Sequence, residues 1–238
     1  MLVLVSDVVM CCALCIYVCL FWSLTDEIIP ETDEFVALWK KVVNAGPVQT
    51  SDGYSTVGDV PWLDLVKRLY VRPCYLALKE KIIGHLKSVL VLGTPGIGKS
   101  LFLRWLLVAI ARDNLDNTKP HISFRVKFAD KDFYCTTASD TVKVFKAQLG
   151  TPNYYFSDSI DISEYGLSSE LTMLVSSDDA AHYKEWEKKV KAHNIYGGIL
   201  VMPVFDWSEI NLVAPMDMNP VMRQFRFDVI NGFGKAMK

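Results

Sequence analysis

A glycine-rich octapeptide set between an apolar run and a long apolar helix constrains this chain more than any other feature. Residues 88–92, Ser-Val-Leu-Val-Leu, are short and apolar enough to read as a buried strand. Gly93-Thr94-Pro95-Gly96-Ile97-Gly98-Lys99-Ser100 follows directly and fits G-x-x-x-x-G-K-[ST] without a mismatch. From Ser100 to Arg112, the residues Leu101, Leu103, Trp105, Leu106, Leu107 and Ile110 are apolar. That density predicts a helix buried against a sheet. Strand, glycine loop and helix, in that order, open an α/β domain with a mainly parallel sheet and helices on both faces, the P-loop NTPase architecture.

Each position of the octapeptide has a chemical reason. Glycines let the backbone wrap tightly with its N–H groups turned inward. A helix starting near Gly98 offers unpaired N–H groups and a positive dipole end to phosphates. Gly93, Thr94, Pro95, Gly96, Ile97, Gly98, Lys99, Ser100 and Leu101 are therefore the candidate nucleotide-binding residues. Lys99 is expected to reach the β- and γ-phosphates, and the Ser100 hydroxyl to ligate Mg2+. Such a site also needs an acidic residue at the end of a second strand. Asp158, after Tyr154-Tyr155-Phe156-Ser157, is the candidate for that catalytic and metal-holding role. Asp130 and Asp132 compete with it from a predicted hairpin turn, and Asp161 and Glu164 lie nearby. Ser159, not Glu, follows Asp158, so a base that activates water is not evident. Ser176 and Ser177 end another predicted strand, where they cap the next helix or sense a γ-phosphate. No Asn/Thr-Lys-x-Asp motif for guanine is found, which leaves ATP as the expected nucleotide.

The remaining chain divides around this centre. Glu34 to Asn44 carries Phe35, Leu38, Trp39, Val42 and Val43 at helical spacing. Gln49 to Gly58 reads as a loop, Leu63 to Leu69 as a short helix, and Pro73 opens a helix over Cys74 to Leu86. His121 to Phe128 and Phe133 to Thr136 read as a hairpin, whereas Thr141 to Leu149 fits a strand or a helix equally. Strands are predicted at Tyr154–Phe156, Leu171–Val175 and Ile199–Met202, and an amphipathic helix at Ala180–Ala192. The expected organisation is a hydrophobic segment 1–24, a helical N-terminal region 25–86 and a P-loop domain 87–238. The first segment has an uncharged run from Val8 to Trp22 but no basic residue before Lys40. It fits a signal peptide, a membrane anchor or a mistaken start, with possible membrane contact. Cys11, Cys12, Cys15 and Cys19 sit inside that run, where small apolar residues explain them better than metal or redox chemistry. With 25 basic and 27 acidic residues, the chain gives no direct sign of nucleic-acid binding.

Other elements travel with the loop. Tyr70-Val71-Arg72-Pro73-Cys74-Tyr75 precedes it, and Val175-Ser176-Ser177, Tyr183-Lys184-Glu185-Trp186 and Met202-Pro203-Val204-Phe205 follow. This order resembles the P-loop ATPase module of Crinkler-type effectors and retrotransposon hot spot proteins, over about Phe35 to Ile210. In that module the last stretch usually reads Met-Pro-Val-Trp with an acidic residue shortly after. Here Phe205 replaces the tryptophan and Glu209 supplies the acid. The resemblance implies a helical lid with arginines beyond Ile210, for which Arg223 and Arg226 are the candidates and Gly232-Phe233-Gly234-Lys235 the remnant; the lid is expected to be incomplete. It also implies a secreted, host-cell-directed effector, although the family's Leu-Phe-Leu-Ala-Lys translocation motif is not found; otherwise the chain is expected to be intracellular.

The expected function is ATP–Mg2+ binding with slow hydrolysis, used as a nucleotide-dependent switch acting on an unknown protein partner, with oligomerisation possible. A non-hydrolysing nucleotide-binding module is one alternative, and a small-molecule kinase is another, since that class shares the loop.

Overall fold

The computed structural model describes residues 28–30, 33–44, 49–51, 54–56, 69–115, 119–128, 131–146, 149–158, 170–176, 184, 186–188, 190–191 and 197–209. Among them are helices α1 (Glu34–Asn44), α2 (Pro73–Ile82) and α3 (Lys99–Asp113). A small antiparallel sheet contains β1 (Gln49–Ser51), β2 (Tyr54–Thr56) and β3 (Leu69–Tyr70). The main sheet contains β4 (Ser88–Leu92), β5 (Ser123–Phe128), β6 (Lys131–Thr136), β7 (Ser139–Val144), β8 (Tyr154–Asp158), β9 (Leu171–Ser176) and β10 (Gly197–Val201).

The main sheet has seven strands in the order β10-β4-β9-β8-β5-β6-β7. From β10 to β5 every neighbouring pair is parallel, and β6 and β7 add an antiparallel edge. The chain is therefore α/β, with a mixed, mostly parallel sheet and flanking helices. Alternation along β4 builds two cores. Val89 and Val91 face the larger one, with α1, α2 and α3. Leu90 and Leu92 face a smaller one, closed by the helical residues Trp186 and Val190. A strand buried on both faces must be apolar throughout, which is why β4 has no polar residue after Ser88.

α1 begins where the Asp33 carboxylate accepts the Phe35 N–H at 2.9 Å. Its buried face, Phe35, Leu38, Trp39 and Val42, covers the antiparallel edge of the sheet. The Phe35 ring meets Phe133 at 4.6 Å, and the Trp39 indole N–H donates to the Ser139 carbonyl at 3.0 Å. This helix therefore shares the core of the main sheet. An isolated bridge from Ile28 to Lys143 pairs the chain ahead of α1 with β7.

Several boundaries differ from the sequence expectation. The loop expected over Gln49 to Gly58 contains β1 and β2, because threonine and tyrosine suit paired backbone even in a polar segment. Leu69, expected to end a helix, pairs in β3, and residues 63–68 lie outside the described residues. α2 stops at Ile82, short of Leu86, since Ile83 is already extended and Gly84 takes φ 84°. Thr141 to Val144 is strand, held by β6 on one side. β10 starts two residues early, at Gly197, because pairing with β4 recruits glycines whose intrinsic strand preference is low. No helix among the described residues is long and apolar enough to cross a membrane, and the segment 1–24 lies outside them.

Candidate functional site

The parallel register brings several strand ends to one edge. Leu92 of β4 sits between Ser176 of β9 and Val201 of β10. Ser157 of β8 is level with Leu174, which puts Asp158 at the same edge. In open α/β sheets this carboxyl edge is where ligands bind, at the point where the chain switches sides. β4 is that point: the chain returns through β8 and β9 on one side, then crosses to β10 on the other.

At this edge Gly93 to Gly98 turns the chain from β4 into α3. Ile97 is fully buried and anchors the loop to the core. A side chain at Gly93 would collide with Ile97 and lie 3.3 Å from the Met202 carbonyl. Gly96 and Gly98 have φ 81° and 93°, values that favour glycine. Gly98 is the N-cap of α3 in the left-handed conformation, and no side chain caps the helix. The first amides of α3 thus face the loop rather than a capping group. The Lys99 ammonium folds over the loop, donating to the Gly93 and Thr94 carbonyls at 2.7 and 2.9 Å. The Thr94 hydroxyl is buried without a hydrogen-bond partner. Pro95 and Gly96 are exposed at the tip, and Ser100 and Leu101 are half-buried in the first turn of α3. A lysine and a helix start without a side-chain cap meet at this loop, the kind of arrangement in which helix N-termini bind anions.

The acidic candidates separate cleanly. Asp158 ends β8 half-buried, beside Phe128 of β5. Asp132 is committed: the Arg125 Nε donates to its two oxygens at 3.0 and 3.1 Å. Arg125 in turn lies over the Phe145 ring at 4.0 Å and the Tyr155 ring at 4.7 Å. Asp132 is thus ion-paired to the neighbouring strand β5. Ser176 is buried in register with Leu92, one residue before the loop. Among the described residues no group of three or more His, Cys, Asp or Glu could hold a metal ion alone. Asp130, Asp161, Glu164, Ser177, Arg223, Arg226 and residues 232–235 lie outside the described residues.

Two residues under the loop have roles that sequence reading did not assign. Arg72, one residue before α2, is 1% exposed. It grips Glu209 with Nε and Nη2, both at 3.0 Å. Its Nη1 donates to the Ile97 carbonyl at 2.9 Å, and its Nη2 to the Pro203 and Val204 carbonyls at 3.0 Å. The Phe205 ring covers the guanidinium at 3.9 Å. Burial works to lower the Arg72 pKa, yet the Glu209 hydrogen bonds hold it above its ordinary value. Glu209 also accepts the Asp206 N–H while Asp206 accepts the Glu209 N–H, a reciprocal cap on the turn at 207–209. Tyr75, on the first turn of α2, donates its hydroxyl to the Gly98 carbonyl at 2.8 Å. Burial pushes the Tyr75 phenol pKa up, so it stays a donor. The signal for both was present in Arg72-Pro73-Cys74-Tyr75, but nothing local said where their polar groups would end.

Compared with family models, curated proteins and solved structures, the chain matches none.

Proposed function

We propose that this chain is a P-loop NTPase that binds ATP with Mg2+ at Gly93–Leu101 and hydrolyses it slowly as a nucleotide-dependent switch. The observation that carries the reading is the uncapped start of α3 beneath a loop with positive φ at Gly96 and Gly98, at the carboxyl end of β4, a parallel strand flanked by β9 and β10. On this reading the Gly98 and Lys99 amides receive phosphate oxygens, and the Lys99 ammonium leaves the loop carbonyls for the β- and γ-phosphates. The Ser100 hydroxyl and the Asp158 carboxylate are the metal-side groups. Asp158 lies two strands from β4, which at sheet spacing is about 10 Å. That gap suits an ion that keeps several waters and takes its other ligands from phosphate. When bound, Mg2+ supplies charge neutralisation on the phosphates. Ser176, level with the loop, is the candidate for sensing the terminal phosphate.

The resemblance to the Crinkler and retrotransposon hot spot module belongs to the same proposal. It gains physical support because the elements that define it, Arg72 to Tyr75 and Met202 to Phe205 with Glu209, meet under the loop. A protein partner that reads the nucleotide state follows from that module.

A second reading, a module that holds nucleotide without turnover, is favoured by a specific feature. Ser159 follows Asp158, and Arg125, the arginine on the adjoining strand β5, is spent on Asp132. Phosphate release from MgATP, followed over a range of protein concentrations, separates the two. Slow release, well below the ~10 s⁻¹ of a median enzyme, supports the switch. Saturable binding with no release supports the module, and release only in the presence of a small-molecule acceptor would point to a kinase instead.

A further inference from the structure

We infer that Arg72 and Tyr75 are positioning residues: from the start of α2 they pin two successive carbonyls of the loop and thereby aim the Gly98 and Lys99 amides at a bound phosphate. The inference rests on the P-loop reading and adds to it the device that holds the loop in its binding shape. In a planar trans peptide the C=O and N–H groups point in opposite directions. Arg72 fixes the Ile97 carbonyl at 2.9 Å, so the Gly98 N–H of the same peptide is turned away from α2. Tyr75 fixes the Gly98 carbonyl at 2.8 Å, and the Phe102 N–H meets the same oxygen at 2.9 Å. The Lys99 N–H is thereby turned toward the open side of the loop. Two adjacent amides are set before any ligand arrives, in a glycine-rich segment that would otherwise sample many conformations.

Neither residue touches the open side of the loop, since each is 1% exposed. Glu209 neutralises the Arg72 charge, so Arg72 contributes geometry rather than attraction for phosphate. An arginine suits the task because one rigid fork serves Glu209, Ile97, Pro203 and Val204 at once. This arrangement also locks the segment after β10 to the loop. A phosphate that tightens the loop must be felt at residues 203–209, and a partner that pulls on that segment must weaken phosphate binding by the same factor.

The test is a titration with MgATP, and separately with inorganic pyrophosphate, of the full chain and its Tyr75→Phe, Arg72→Lys and Lys99→Ala variants. Amide resonances of Gly98 and Lys99 are followed by NMR. In the wild type both amides shift as the ligand saturates. Tyr75→Phe keeps its ring packed on Phe102 and Trp105 and loses a single hydrogen bond. It should bind about 3- to 10-fold more weakly, with a reduced shift at Lys99 and an unchanged spectrum elsewhere in the ligand-free protein. Arg72→Lys should lose more and diminish the Gly98 shift; if it does not fold, Tyr75→Phe carries the test. Wild-type affinity and wild-type amide shifts in Tyr75→Phe, with binding lost in Lys99→Ala, would overturn the positioning role and leave the P-loop reading standing. No binding in the wild type would remove the P-loop reading, and the inference with it.

Discussion

Replacing Gly98 by alanine tests the local geometry most sharply, because Gly84 provides a matched control. Both residues have positive φ, 93° at Gly98 and 84° at Gly84. A side chain in that region costs about 1–2 kcal/mol by itself. At Gly84 the added Cβ meets nothing within 4 Å, so that strain is the whole effect. At Gly98 the Cβ would lie 2.6 Å from the Tyr75 hydroxyl, and 3.9 Å from the ring carbon that bears it. The hydroxyl must move, and a buried phenol left without its acceptor costs a further ~1–3 kcal/mol. Gly98→Ala should therefore destabilise by about 2–5 kcal/mol in total, and by more than Gly84→Ala. Urea unfolding of both variants measures the difference. Adding Tyr75→Phe removes the colliding oxygen and leaves an ordinary contact. The double variant should recover part of the loss, giving a coupling of roughly 0.5–3 kcal/mol. Equal losses in the two single variants, or strict additivity with Tyr75→Phe, would refute the described packing of α2 against the loop.

Three further expectations follow from other parts of the molecule. Trp39→Ala should cost about 3–5 kcal/mol in urea unfolding, because the indole is fully buried and its N–H is spent on Ser139; a loss under ~1 kcal/mol would mean α1 is not part of the main core. Asp158→Asn should weaken ATP binding in magnesium buffer more than in chelator, and superimposable magnesium titrations would move the metal role away from Asp158. Burial holds the Cys135 thiol well above its ordinary pKa, and more moderately that of Cys74. Thiolate is the reactive form, so at pH 8 peptide mapping after alkylation should find Cys74 modified before Cys135, and Cys135 only on unfolding; early labelling of Cys135 would contradict its burial.

The sheet was legible where one strand carried its own signal. Val89 and Val91 against Leu90 and Leu92 make β4 apolar on both faces, and the glycine loop and α3 follow by composition alone. Asp158 could be picked out because a strand of aromatic residues ends there, and register then brought it to the loop's edge. Polar strands carried no such pattern. The sequences of β1 and β2 have little to alternate, and backbone pairing defines them. β7 buries only Val142, so helix and strand spacing fitted it equally. The clamp under the loop was invisible for a different reason. Arg72 and Glu209 are 137 residues apart, and nothing local in either segment says that the two will pair. Glu209 did stand out by resemblance as the acid after Met-Pro-Val-Phe, but its partner emerged only from the fold.

Calorimetric titration of MgATP into the full chain and into Lys99→Ala tests the central claim most directly. Lys99 is half-exposed at the loop and contributes charge rather than core packing, so the variant should fold as the wild type does. The account predicts saturable binding at one site in the wild type, weakened about 10- to 100-fold in the variant by the loss of a charge-assisted contact. No binding in the wild type, or equal affinity in both proteins, would contradict it.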